Sequence, residues 1–419
     1  MNVGGTIRVP GDKSISHRAL MFAALAHGAS RIRDILPSAD IHSTASVLCT
    51  LGVSMPPLSS DLTIMGRGAR ALRAPSADLD CGNSGTSARL LSGIAAALPF
   101  TSRFVGDSSL SRRPMRRVAE PLRAMGARVE CADGEGLPMT VHGGPLHAIE
   151  WRTETASAQI KSAILLAGVA GGVNVAVREP APTRDHTERM LVALGATVET
   201  HGTMVRLTPP DHLSPVEMRV PRDPSSAAFL AALAVLANTG ELELPDVCLN
   251  PTRTGFYRAL VRMGARVTLE SGAPEGGEPV GTVHAAASSL SGITLDRADV
   301  PSMIDELPLL ACVAARSAGT TTIRGAEELR VKESDRIATV VANLRAIGAT
   351  AEELPDGMCI EGSDAPLRGR IVSRGDHRIA MAFGVLGALP ENAIDIDDRA
   401  CVAVSYPAFW DDLRRAVRP

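Results

Sequence analysis

The segment Pro10-Gly11-Asp12-Lys13-Ser14-Ile15-Ser16-His17-Arg18 sets an ammonium, hydroxyls and a guanidinium just ahead of an apolar run, residues 19–26, closed by Gly28. A helix beginning there puts Ser14 and Arg18 on one face of its first turn. Open backbone N–H groups and the positive end of the helix dipole lie beside them, so Lys13, Ser14 and Arg18 outline a site for a phosphate or carboxylate. Read alone, the motif is equally a capped helix with two solvated cations. It is not a nucleotide-binding P-loop: Asp12 stands where that motif needs glycine, and Pro10 removes one of the N–H groups that would cradle phosphate.

Similar polar starts recur. Cys81-Gly82-Asn83-Ser84-Gly85-Thr86-Ser87-Ala88-Arg89 offers glycines for close backbone approach, three hydroxyls and an arginine one turn into a helix. A cap with turn glycines is the plainer reading of the same residues. Thr155-Ala156-Ser157-Ala158-Gln159 presents a hydroxyl and an amide, with simple capping by Ser157 as the alternative. Two runs are strongly cationic: Ser111-Arg112-Arg113-Pro114-Met115-Arg116-Arg117 and Arg330-Val331-Lys332-Glu333-Ser334-Asp335-Arg336. Arg116 and Arg117 read as a solvated face. Lys332 and Arg336, four apart, would form one double-pronged face on a helix start with Glu333 beside it. Asp376-His377-Arg378 again precedes a buried helix. Cations at several helix starts in a chain of formal net charge -3 imply a small, multiply anionic ligand.

The elements that must carry these residues repeat. Apolar helices with polar first turns are expected near Ser14, Asn83, Ser157, Asp223, Ser302 and Asp376, at a period of roughly 70 residues. Each is followed by an amphipathic segment. Five of these close on a Leu-x-x-(Leu/Met/Ile)-Gly signature at Gly52, Gly126, Gly195, Gly264 and Gly348, where glycine suits a left-handed C-cap. The sixth spans residues 406–418. Residues 7–12 resemble 218–223, which points to two homologous halves. The expected architecture is therefore α/β, with three fully apolar helices of each half enclosed by strands and amphipathic helices. A strand over residues 6–10 would supply an edge to the half that starts at Asp223. The expected domains are 1–12 with 223–419, and 13–222 inserted between them. Residues 272–281 are expected to be an exposed loop.

Composition narrows the function. The 419 residues exceed one ordinary core. Aromatics are only 3%, so the cores must be built from Ala, Leu, Val and Ile. A sequence pI of about 6.4 argues against a nucleic-acid or membrane-surface partner. Without a basic and apolar leader or a run of roughly 18 apolar residues, the expectation is a cytoplasmic protein. Seven scattered cysteines with no CxxC pair argue against a zinc site or disulfide framework.

Eight strings, PGDKSISHRAL, GNSGTSARLL, RRPM, SAQIKSA, TRDHTERM, MIDELP, LRVKESDR and GDHRIAM, occur in this order. Together they resemble the 5-enolpyruvylshikimate-3-phosphate synthase family over essentially the whole chain. The resemblance implies two inside-out α/β domains of three repeated units each. It also implies transfer of the enolpyruvyl group of phosphoenolpyruvate to the 5-hydroxyl of shikimate 3-phosphate, through a tetrahedral ketal, with no metal or organic cofactor; a monomer is expected. Carried over by motif, Lys13, Ser14 and Arg18 belong to the first substrate motif, with Lys13 also expected to be catalytic, Ser157 and Gln159 to shikimate-phosphate contacts, and Arg184 to a phosphate ligand. Gly85, Arg113, Arg336 and Arg378 match the phosphoenolpyruvate site, and Lys332 a shared contact. Asp305 matches the carboxylate near the attacking hydroxyl, and Glu333 the proposed acid at the methylene carbon. Such a reaction needs a base for a weakly nucleophilic alcohol, a proton donor for carbon, and fixed cations for two anions that repel one another. One residue departs from the pattern: Val404 occupies a slot where many members carry lysine. The rivals are the related enzyme that uses UDP-N-acetylglucosamine, which resembles a different lysine-asparagine opening, and a non-catalytic receptor, which would be expected to lack Asp305 and Glu333.

Overall fold

A computed structural model describes residues 1–133 and 135–418, so Pro419, the last residue of the expected discontinuous domain, lies outside it. The chain divides into two compact units: residues 1–10, 221–273 and 279–419 form one, and 11–220 with 274–278 the other. The segment expected to be an exposed loop is only partly so. Glu278 is fully buried and bonded to His186 at 2.7 Å, and Gly281 lies within the strand Val280–Ala286.

In the inserted unit the three core helices are Lys13–Leu25, Gly85–Ala96 and Ala158–Gly171. The first two start where a side chain satisfies an open N–H: Asp12 accepts from the Ile15 N–H at 2.8 Å and Ser84 from the Ser87 N–H at 3.1 Å. Their bodies are Ala- and Gly-rich because the backbones nearly touch. A Cβ at Gly93 would lie 2.2 Å from the Ala163 carbonyl oxygen of the neighbouring helix, which is how a core this poor in aromatics closes. Among the described residues, three sheets wrap these helices. In the discontinuous unit the core helices are Pro224–Leu236, Leu307–Ala314 and His377–Gly387, again with three sheets around them.

One supersecondary unit accounts for most of this. A strand, a buried helix and a second strand parallel to the first are followed by an amphipathic helix and a hairpin that adds two antiparallel strands. Leu79–Asp80 pairs with Thr101–Val105, Ile149–Arg152 with Val175–Arg178, and Thr294–Leu295 with Thr320–Ile323 in this parallel sense. All five signature glycines adopt positive φ, between 90° and 111°, just past the amphipathic helices. Only glycine takes that conformation at little cost, and it turns the chain into the following strand. Gly28, by contrast, is no helix stop; the helix ends at Leu25 through an extended Ala26, and Gly28 sits in the strand His27–Arg33.

Three further expectations are corrected. The opening strand is Asn2–Thr6, and it is not an edge: it lies between Thr239–Cys248 and Val417–Arg418. The fifth core helix begins at Leu307 instead of near Ser302, because Pro308 favours the first helical turn, and Asp305 is left in the preceding turn. Lys332 and Arg336 share no helical face. A 3-10 helix Glu327–Val331 ends before Lys332, and the next helix starts at Arg336, capped by Asp335, whose carboxylate accepts the Ala338 N–H at 3.0 Å.

Candidate active site

In the inserted unit the first turns of the core helices are tied together by their polar side chains. Arg18, only 4% exposed, donates to the Thr187 hydroxyl at 2.7 Å, the Ser162 hydroxyl at 2.9 Å and the Ser14 carbonyl at 2.9 Å. Burial pushes its guanidinium down to about 10, an effect opposed by Glu188, Asp12 and Glu278 and reinforced by the nearby charge of Arg184. Arg18 is thus a fixed cation inside the unit, not a solvated one. Lys13 reaches Asp40 at 3.0 Å. Ser157 occupies the cap position of its helix, but its hydroxyl makes no capping bond, so the simple capping explanation fails.

A second group surrounds Gly85. Arg89 donates to the Gln159 side-chain oxygen Oε1 at 2.7 Å, the Gln159 side-chain amide donates to the Thr86 hydroxyl at 3.0 Å, and Arg113 donates to Asn83 at 2.7 Å. A Cβ at Gly85 would sit 2.7 Å from one Arg89 nitrogen and 3.4 Å from one of Arg113, so glycine here leaves both guanidinium groups their place. Arg89, the arginine expected one turn into this helix, is a member of this cluster, although the family motifs gave it no role.

His17 links the same helix to its neighbours: its Nδ1 bonds the Thr44 hydroxyl at 2.7 Å, which bonds Ser87 at 2.6 Å. Its Nε2 is buried without a partner, and burial, then Lys13 and Arg18, hold the imidazole well below its ordinary range. The folded protein therefore keeps His17 neutral while the unfolded chain protonates it near pH 6.5. Stability contributed at His17 is full above that pH and falls as the pH drops below it, by up to about 1.4 kcal/mol per pH unit. His17→Asn is expected to flatten this slope in denaturant titrations between about pH 7 and pH 5; a slope unchanged from the parent would show that His17 takes no part.

The discontinuous unit centres on Arg336, 1% exposed. Its guanidinium donates to Asp376 at 2.8 and 3.2 Å, to Glu333 at 2.6 Å and to Asp305 at 3.3 Å. Burial alone would lower its pKa, but Asp376, Glu333 and Asp305 outweigh burial and hold it above the ordinary value. Arg378 donates to the Asp305 carbonyl and to Glu306, both at 3.3 Å, and lies 3.8 Å from the Asp305 carboxylate. Lys332 is half-buried next to Glu333 in the chain. Asp305, Glu333, Arg336 and Arg378, chosen from motifs, therefore form one cluster. Asp376 and Glu306 were missed as members. Asp376 caps the helix His377–Gly387 and also receives the Ser334 hydroxyl at 3.0 Å. Glu306 accepts from Ser225, which receives Arg253 at 2.9 Å. Sequence offered a signal only for Asp376, as an aspartate just ahead of an apolar run. Val404 is half-buried at the end of the 3-10 helix Ala400–Val404.

The fold and these clusters define an inside-out α/β protein of repeated units, with buried cations and carboxylates gathered at helix starts in each unit. The chain belongs to the EPSP synthase (3-phosphoshikimate 1-carboxyvinyltransferase) family, whose model matches residues 1–413. It is 49% identical over 408 residues to the 3-phosphoshikimate 1-carboxyvinyltransferase of Acidithiobacillus ferrooxidans (strain ATCC 53993 / BNL-5-31), covering 97% of this chain and 94% of that one. It is 44% identical to the Bacillus cereus (strain 03BB102) protein of the same name, over 99% and 97% of the two chains. A solved structure of EPSP synthase from Acinetobacter baumannii is similar with a TM-score of 0.87 at 42% identity, over 99% of this chain and 96% of that one. Among the described residues no helix is long and apolar enough to cross a membrane.

Proposed function

We infer that this chain is a 3-phosphoshikimate 1-carboxyvinyltransferase, which joins the enolpyruvyl group of phosphoenolpyruvate to shikimate 3-phosphate and releases phosphate. The observation that carries this is the full-length family match together with the cluster of Asp305, Glu333, Arg336 and Arg378. Acidic residues alone would repel the substrates, and cations alone would bind without moving protons. Both are present.

Lys13, Ser14, Arg18, Ser157, Gln159 and Arg184 are assigned to shikimate 3-phosphate, and Gly85, Arg113, Arg336 and Arg378 to phosphoenolpyruvate, with Lys332 shared. Asp305 takes the proton of the attacking hydroxyl as its oxygen bonds the central enolpyruvyl carbon, and Glu333 gives a proton to the methylene carbon. The resulting ketal loses phosphate and a methyl proton to restore the double bond. Glu333 is held by Arg336 at 2.6 Å. An anion arriving on Arg336 would compete with Glu333 for that guanidinium. Val404 brings no cation to its slot, so phosphate charge falls to the arginines. The protein is proposed to act as a cytoplasmic monomer without a metal or organic cofactor.

Phosphate release from phosphoenolpyruvate tests this assignment. Turnover is expected with shikimate 3-phosphate and not with UDP-N-acetylglucosamine; release with neither acceptor, or only with the sugar nucleotide, would refute it.

A further inference from the structure

The helix Ala158–Gly171 carries a lysine, Lys161, that is 2% exposed and serves no role in the chemistry above. Its ammonium lies 2.8 Å from Glu179 and 2.7 Å from Glu188, both also buried, and donates to the Thr183 carbonyl at 3.5 Å. The Thr183 hydroxyl in turn donates to Glu179. Burial opposes the charge on Lys161, but Glu188 and Glu179 outweigh it and hold the ammonium above its ordinary range.

These contacts share one target. Residues 179–185 run without regular structure from the strand Val175–Arg178 to the helix His186–Ala193, and they contain Arg184. Two prolines and the absence of a sheet partner leave this segment few backbone bonds of its own. Lys161 grips it at its first residue, at the carbonyl next to Arg184, and at Glu188 in the helix beyond. The adjacent Ser162 binds Arg18 at 2.9 Å and Thr187 at 2.7 Å. One turn of one helix thus contacts both Arg18 and the segment bearing Arg184.

We propose that Lys161 is a positioning residue for shikimate 3-phosphate: buried between Glu179 and Glu188, it fixes the segment that presents Arg184 beside Arg18. This rests on the functional reading above. Two like-charged guanidinium groups repel unless held, and a phosphate gains most from cations already in place.

Lys161→Met alone strands two buried carboxylates and is expected to destabilise the unit. Lys161→Met/Glu179→Met removes one charge of each sign and leaves Glu188 near Arg18, a replacement that buried pairs often tolerate. In the full chain, calorimetry is expected to show shikimate 3-phosphate bound at least tenfold more weakly by this variant. Hydrogen exchange should quicken across residues 179–189, while the KM for phosphoenolpyruvate stays within threefold. Affinity within twofold of the parent and unchanged exchange would overturn the proposal. Should the double variant not fold, Thr183→Val decides: it deletes one hydroxyl and is expected to weaken binding about threefold with faster local exchange, and parent-like values in both would overturn the role of Lys161. A parent protein that does not bind shikimate 3-phosphate would count instead against the functional reading.

Discussion

Arg336→Leu is expected to lower kcat/KM by more than about 10³-fold, equivalent to about 4 kcal/mol of transition-state stabilisation, and to destabilise the discontinuous unit as well. Three carboxylates lean on this one guanidinium: Asp376, which is fully buried, Glu333 and Asp305. Deleting it takes from Asp376 its arginine partner and leaves the Ser334 hydroxyl and the Arg378 backbone N–H, and breaking a buried pair in this way costs about 3–5 kcal/mol. Arg336→Lys restores charge without the fork geometry, and should recover more stability than activity, because a point charge cannot serve three carboxylates and an incoming anion together. Thermal melts and steady-state kinetics on both variants separate the two effects. An Arg336→Leu protein with kcat/KM within tenfold of the parent would remove Arg336 from the substrate site.

The second large effect concerns the proton carriers. Asp305→Asn and Glu333→Gln keep shape and hydrogen bonding but not proton transfer, and each is expected to lower kcat by about 10²- to 10⁴-fold. Binding of shikimate 3-phosphate should change far less, since neither substitution alters the inserted unit, where Arg18 and Lys13 lie. The two variants should also differ from each other. Glu333→Gln leaves Arg336 its two-bond pair with Asp376, so folding stability should stay close to that of the parent, whereas Asp305→Asn alters a carboxylate placed near both Arg336 and Arg378. Rapid-quench turnover set beside calorimetry measures both quantities. Near-parent kcat in either variant would show that its side chain carries no proton in the rate-limiting steps.

Much of this protein was legible in its residues because the deciding physics is local. The five signature glycines are readable since each sits where a helix must turn through positive φ, and all five do. The core helices are readable because an uninterrupted apolar run can only be enclosed, and capping residues such as Asp12, Ser84, Asp223 and Asp376 announce where most of them begin. The family strings likewise mark Asp305, Glu333, Arg336 and Arg378. Lys161 was not legible. A lysine in an apolar helix is noticed from sequence, but its carboxylate partners lie 18 and 27 positions further on, and nothing in local spacing connects them.

Tertiary structure alone decided how the halves are threaded. In most repeats the strand before a core helix pairs in parallel with the strand after it, as Leu79–Asp80 does with Thr101–Val105. By that rule the opening strand Asn2–Thr6 should pair with His27–Arg33, and Glu217–Arg219 with Thr239–Cys248. The partners are exchanged: Asn2–Thr6 pairs with Thr239–Cys248, and Glu217–Arg219 with His27–Arg33. Residues 7–12, just past the first of these strands, resemble residues 218–223, which overlap the second, so local sequence does not say which partner each strand takes. These pairings join residues 237 and 186 positions apart, long-range contacts that no local preference encodes.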